Sequence, residues 1–166
     1  MAGDDWQSWF DRHGAALVLL ARQFVQSRAD AEDVVQEAFV RFWRSRERVT
    51  EPAAFLFACV RRCALDWQRS RQRRTHREER AARPEVELLF ARTEQDERRA
   101  AIESALHELP VEQAEVVVMK IWGHLSFPEI AEALEISPNT AASRYRYALA
   151  KLREALTEEP SRGAQL

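Results

Sequence analysis

"SFPEIAEALEISPNTAASRYRYALAKL", residues 126–152, reads as two helices with a sharp corner between them. Ser126 followed by Glu129 fits a capping box opening a short helix that carries Ile130, Ala131 and Leu134. Ser137 and Pro138 fit the N-cap and first position of a second, longer helix. Glu135, Ile136 and Ser137 turn the corner, and Ala131 is small where the two helices must approach closely. A short helix, a tight turn and a longer helix make a helix-turn-helix, whose second helix fits the major groove of duplex DNA. Facing outward on it, Asn139, Ser143, Arg144 and Tyr147 are the candidates for base or phosphate contact, while Ala141, Tyr145, Ala148, Leu149 and Leu152 face inward. The same local pattern also describes a plain helical hairpin with a solvated outer face, so the rest of the chain decides.

Upstream, "AAIESALHEL" stops at Pro110, and "VEQAEVVVMKIW" ends at Gly123 as a C-cap. Further back, "SRADAEDVVQEAFVRFWRSR" places Ala31, Val34, Val35, Ala38, Phe39, Phe42 and Trp43 on one helical stripe, with Glu32, Asp33, Gln36, Glu37 and Arg41 off it. Ser27 or Asp30 caps its start. Residues 5–26 repeat Trp6, Trp9, Phe10, Leu17, Leu20 and Phe24 at mostly three- and four-residue steps, which predicts a first amphipathic helix. Thr50 followed by Pro52 reads as an N-cap and first turn of a third helix, with Phe57, Val60, Ala64 and Trp67 inward and Arg61, Arg62, Arg69, Arg71, Arg73 and Arg74 on its outer face and C-terminal end.

These elements predict an all-α chain of two small helical domains, residues 5–74 and 100–156, joined by a charged linker over residues 75–99 in which only "VELLF" is apolar. Composition agrees. The 166 residues are 46% hydrophobic, enough for globular cores, and contain four glycines. The net charge of −2 excludes a uniformly basic coat, yet residues 61–83 hold nine Arg and residues 84–117 hold nine acids. One segment suits phosphate and its neighbour does not. Arg-rich sequence interleaved with Trp67, and with Phe55 and Phe57 upstream, also suits unstacked single-stranded bases. The carboxylate and Gln face around residues 32–37 repels phosphate and requires a protein partner instead.

Cys59 and Cys63, four residues apart in an apolar helical stretch, read as core packing in a reducing compartment. "MAGDDWQSWF" shows no basic flank or apolar h-region, and no apolar run is long enough for a membrane span, so a cytoplasmic chain without membrane insertion is expected.

"DAEDVVQEAFVRFW" resembles the polymerase-binding helix in region two of bacterial extracytoplasmic-function sigma factors, and "FACVRRCALDWQRSRQRR" resembles their promoter-melting segment. "LPVEQAEVVVMKIWGHLSFPEIAEALEISPNTAASRYRYALAKLREAL" is similar to their region four. The resemblance covers roughly residues 5–156 and implies a non-catalytic specificity subunit, without cofactor or metal, that joins core RNA polymerase and directs it to promoter DNA. It places Asp30, Glu32, Asp33, Gln36, Glu37 and Trp43 against the polymerase clamp. It assigns the loop of residues 45–50 and the helix bearing Arg61, Arg62, Asp66 and Arg69 to the unwound minus-ten element. The helix from Pro138, with Asn139, Thr140, Ser143, Arg144 and Tyr147, would read the minus-thirty-five element. An anti-sigma protein covering these surfaces is implied as a further partner, and the C-terminal "TEEPSRGAQL" is too short and polar for a fused regulatory domain.

The chain departs from the family pattern at several positions. Arg62 stands where Asn is usual, Glu135 where Gly commonly makes the corner, and Asn139 where Gly often precedes the Thr; Ala142, Tyr147 and Leu149 occupy positions that are often basic. Two other classes remain open on the residues alone: a helix-turn-helix regulator whose N-terminal helices dimerise or bind a ligand, and an enzyme using Asp30, Asp33 and Glu37 as metal ligands or acid-base groups.

Overall fold

The computed structural model describes residues 5–75 and 94–158. Seven α-helices occur among the described residues: α1 Trp6–Ala21, α2 Arg28–Ser45, α3 Pro52–Thr75, α4 Glu94–His107, α5 Val111–Ile121, α6 Phe127–Leu134 and α7 Pro138–Glu158, with a 3-10 turn at Arg46–Arg48. None of the described residues is in a strand. Most of the expected linker, including "VELLF", and the last eight residues lie outside the described segments.

In the N-terminal unit, α2 packs along α3 and α1 closes the bundle. Ala31, Val34, Val35, Ala38, Phe39 and Phe42 are all buried, as the stripe on α2 requires, and Trp43 is partly buried against them. Leu17 and Leu20 from α1 and Leu56, Phe57 and Val60 from α3 complete the core. Each such side chain contributes roughly 1.5–3 kcal/mol on burial. Aromatic contacts thread it, with Phe42 at 5.0 Å from Trp9 and 5.7 Å from Phe39, ring centroid to centroid.

Two helix boundaries in the N-terminal unit differ from the sequence reading. The first helix ends at Ala21 rather than running to residue 26, because Phe24 and Val25 turn into the core and the Gln68 side chain donates to the Phe24 carbonyl at 2.7 Å. That corner frees Ser27 to cap α2, its Oγ accepting from the Asp30 amide at 3.0 Å. Before α3 it is Glu51, not Thr50, that adjoins Pro52, and the Glu51 carbonyl accepts from the Phe55 amide at 3.1 Å.

The C-terminal unit is built on α5, against which α7, α6 and α4 pack. α4 starts at Glu94, inside the stretch expected as linker, where a run of good helix formers prolongs it backward. All residues from Ala114 to Met119 in α5 are buried. A helix covered by neighbours on one side buries only a stripe. α5 is covered on both, because α1 approaches it while α3 packs on α6, so the two units form one closed body. Gly123 is part of that seam: a Cβ there would stand 2.6 Å from the Met119 carbonyl oxygen and 2.8 Å from Cζ of Phe57. Its φ is not positive; the left-handed residue ending α5 is His124, at φ 55°.

Candidate nucleic-acid interface

The corner at residues 135–137 is locked by three local devices. Ser126 Oγ accepts from the Glu129 amide at 3.2 Å and starts α6. Glu135 takes the left-handed conformation (φ 56°, ψ 44°), and the Ile136 amide returns to the Ala131 carbonyl at 3.0 Å, which satisfies the end of α6. Ser137 Oγ then accepts from the Thr140 amide at 3.1 Å and lies 2.8 Å from Thr140 Oγ1. The first turn of α7 is capped by this corner, the Ala141 amide also donating to the Ser137 carbonyl at 3.0 Å.

Along α7, Pro138, Asn139 and Tyr147 are exposed, whereas Thr140, Ser143 and Arg144 are half-buried. Inward, Ala141 and Ala148 are fully buried and Tyr145 meets Phe127 edge-on at 5.7 Å, while Leu149 and Leu152 are partly covered. Arg146, which the sequence reading passed over, is exposed with its guanidinium 5.8 Å from the Tyr147 ring. Its signal was the alternation Arg144–Tyr145–Arg146–Tyr147, two cations and two aromatics on the candidate reading helix.

On α3, Arg62, Asp66 and Arg69 are exposed, and Arg69 pairs loosely with Asp66 at 3.9 Å. Arg71 lies over Trp67 at 5.3 Å and 3.7 Å from Asp30. Phe57 is excluded from base stacking because it is 0% exposed in the core; Phe55 and Trp67 are half-buried. Arg61 is committed elsewhere, its Nε donating to Glu115 Oε2 of α5 at 2.7 Å. The Glu115 carboxyl is pushed above the usual carboxylate range by burial, a shift opposed by the Arg61 hydrogen bond and by the charges of Arg61 and Arg144. A polar cleft between α3 and α6 is lined by Arg61, Arg62, Asp66, Arg69, Ala133 and Glu135. Burial pushes the Cys59 thiol up to about 11, and that of buried Cys63 also upward, so both are protonated, unreactive packing groups.

The outer face of α2 has a different chemistry. Glu32, Asp33, Gln36 and Glu37 are exposed, with Glu32 paired to Arg28 at 3.1 Å and Glu37 to Arg41 at 2.6 Å. Val40 sits beside them at 52% exposure, an apolar residue on a polar face that the stripe analysis missed. Trp43 is capped by Arg46, whose guanidinium stands 3.5 Å from the ring centroid. Asp30, Asp33 and Glu37 do not converge: among the described residues no group of three or more His, Cys, Asp or Glu is placed to hold a metal ion.

Residues 9–74 match the family Sigma-70 region 2, and residues 99–152 match Sigma-70, region 4. The RNA polymerase sigma-E factor of Streptomyces coelicolor is 34% identical over 144 residues, an alignment that covers 85% of this chain and 80% of the relative. The ECF RNA polymerase sigma factor SigL of Mycobacterium tuberculosis is 31% identical over 160 residues, 90% of this chain and 87% of that one. The chain belongs to the extracytoplasmic-function branch of the sigma-70 family.

This sigma factor also has solved structural neighbours. CnrH, determined in complex with the cytosolic domain of CnrY, superposes with a TM-score of 0.64 at 28% identity, over 92% of this chain and 88% of that one. The sigma factor RpoE of Bartonella quintana, determined with the anti-sigma factor NepR, gives 0.68 at 21% identity and shares the fold, over 92% and 97% of the two chains. The sigma factor is thus an alternative sigma subunit of bacterial transcription initiation, with α1–α3 as its region 2 and α4–α7 as its region 4. No described helix is long and apolar enough to cross a membrane.

Proposed function

We propose that α2 docks on core RNA polymerase through Asp30, Glu32, Asp33, Gln36, Glu37 and Trp43, while α3 and α7 take the two promoter elements. The observation that carries this reading is the separation of chemistries between the exposed faces of different helices. α2 exposes carboxylates that no nucleic acid tolerates, whereas α7 exposes Asn139, Arg146 and Tyr147 from a fixed corner. Val40 adds an apolar contact to the polymerase-facing patch.

On α3, Arg62 and Arg69 supply the cations and Trp67 an aromatic face for an unwound strand, with the 3-10 turn of residues 46–48 at its edge. On α7, Asn139 suits an adenine edge, and Arg144 a guanine edge or a phosphate. The roles are positional and electrostatic; none of these groups performs catalysis, and the chain works in the cytoplasm where core polymerase resides. An anti-sigma protein is the partner that competes for the same surfaces, as solved relatives were determined with bound partners.

The test is reconstitution. Added to bacterial core polymerase, the chain co-elutes with it and creates new transcription starts on genomic DNA. Reversing both charges, Asp33→Lys with Glu37→Lys, abolishes co-elution while leaving the melting temperature within a few degrees of the parent. Normal co-elution of that double variant removes the assigned α2 interface. Arg144→Ala weakens binding to the upstream element by ~1–3 kcal/mol if it reads a base, or lowers the salt slope by about one if it grips phosphate.

A further inference from the structure

From Pro138 to Ala150, α7 carries two cations, Arg144 and Arg146, and they lie on different sides of the helix. Ala141 and Ala148, both fully buried, mark its inward side. At 3.6 residues per turn, Arg144 stands only about 60° and 40° round the axis from these two alanines, whereas Arg146 stands about 140° and 160° away. Burial follows the same division, since Arg144 is half-buried and Arg146 exposed. Arg144 is also close enough to Glu115 of α5, whose side chain is only 2% exposed, to act on that carboxyl electrostatically. Its charge is partly balanced within the protein.

Arg146 has a different setting. It lies about 20° from Asn139 round the axis and two turns further on. At ~1.5 Å per residue that separation is about 10 Å, or about three base pairs of duplex at ~3.4 Å each. The other outward residues near it are Ala142, Ser143 and Ala150, all short enough to let the helix come close to a groove floor. Among the described residues no carboxylate pairs with Arg146; its guanidinium stands 5.8 Å from the ring of Tyr147, which is 60% exposed. That contact narrows the conformations the side chain samples before DNA arrives.

A helix lying in the major groove turns the middle of its outward side to the base edges and its flanks to the phosphate walls. Arg146 occupies the middle and Arg144 a flank. A guanidinium fork matches the two acceptors of guanine, O6 and N7, whereas any cation suits a phosphate. We propose that Arg146 is the guanine-reading residue of α7, a specificity determinant set about three base pairs from the contact of Asn139, and that Arg144 takes a phosphate. The proposal rests on the reading of α7 as the upstream-element helix, and it names a base that the element must contain.

The experiment uses the chain reconstituted with bacterial core polymerase, on a promoter at which it creates a start and whose upstream element has been randomised. Sequencing the bound templates gives the base preference at each position. The parent selects guanine, and R146A loses that selection at one position by about 5- to 150-fold. R144A keeps the selection and binds all templates more weakly. R146K loses it too, although the charge is retained, because an ammonium cannot make the paired contact. Replacing the selected guanine by 7-deazaguanine, which lacks the N7 acceptor, weakens the parent and leaves R146A unaffected.

Arg146 is exposed, so its truncation disturbs no packing, and helical circular dichroism verifies folding of each variant. Guanine selection that survives R146A, or that disappears in R144A instead, overturns the assignment. So does an R146A that weakens all sequences equally and lowers the salt slope by about one, the signature of a phosphate contact. A parent that transcribes from the promoter yet selects no upstream sequence removes the reading of α7 together with this assignment. A parent that creates no start at all sinks the proposed function before any variant is compared, and the assignment falls with it.

Discussion

Glu135 carries a side chain in a conformation that glycine adopts without cost. A non-glycine residue held in the left-handed region costs of order 1 kcal/mol or more. Glu135→Gly is expected to raise the melting temperature by a few degrees, about 2–4 °C per kcal/mol for a chain of this size, measured by thermal circular dichroism. His13 is a second residue held against its preference, buried between Trp9 at 5.2 Å and Phe57 at 6.0 Å. Burial first, then the charges of Arg12 and His124, hold its imidazole below the ordinary range. The unfolded chain takes up the proton more readily, so this contribution is present above about pH 6.5 and is lost as pH falls through the lowered folded value. Glu115, shifted upward, acts in the opposite sense: its contribution is present at low pH and lost as pH rises through its raised value. His13→Phe isolates the first effect. The melting temperature of the parent relative to this variant is expected to fall between about pH 7.5 and 5, with Glu115 common to both. Ser27, Ser126 and Ser137 were legible as caps because capping acts within three residues. The pairing of Glu115 was not, because a carboxylate in the run "AEVVVM" announces burial without naming a partner 54 residues away.

The helices themselves divide into those whose own periodicity specifies them and those settled by neighbours. The stripe on α2 needed no tertiary information, since steps of three and one put Ala31, Val34, Val35, Ala38, Phe39 and Phe42 on one side and leave only Val40 off it. α1 was overread because Phe24 continues its spacing; the chain had already turned, and Phe24 is buried from the corner rather than from the helix. α3 shows the same ambiguity in its aromatics. Helical spacing puts Phe57 and Trp67 on one inward stripe, and packing separates them: Phe57 is fully buried, whereas Trp67 is half-buried with Arg71 over its ring. α7 depends on its cap for direction. Ser137→Ala removes the acceptor for the Thr140 amide and is expected to cost about 1 kcal/mol, read by urea unfolding. The same variant should weaken duplex binding more than single-strand binding, since it frays the turn carrying Asn139.

At the scale of the whole chain, composition and pattern disclosed two helical units but not how they meet. The apolar density of α5 was the available sign: an eleven-residue helix with no solvated face among residues 114–119 must be covered on more than one side. Gly123 lies where that cover is closest, and what reads in sequence as a helix stop is in fact a clearance for Phe57. Gly123→Val is expected to cost about 1–3 kcal/mol by forcing side chains apart, with a larger scattering radius than the parent. The same clearance limits modular exchange within the family. A hybrid that grafts a relative's rear half onto this front half would inherit the promoter preference of the donor, but it would seat properly only if the donor also leaves a gap opposite Phe57. Recombination between relatives is therefore constrained at a buried position of the seam.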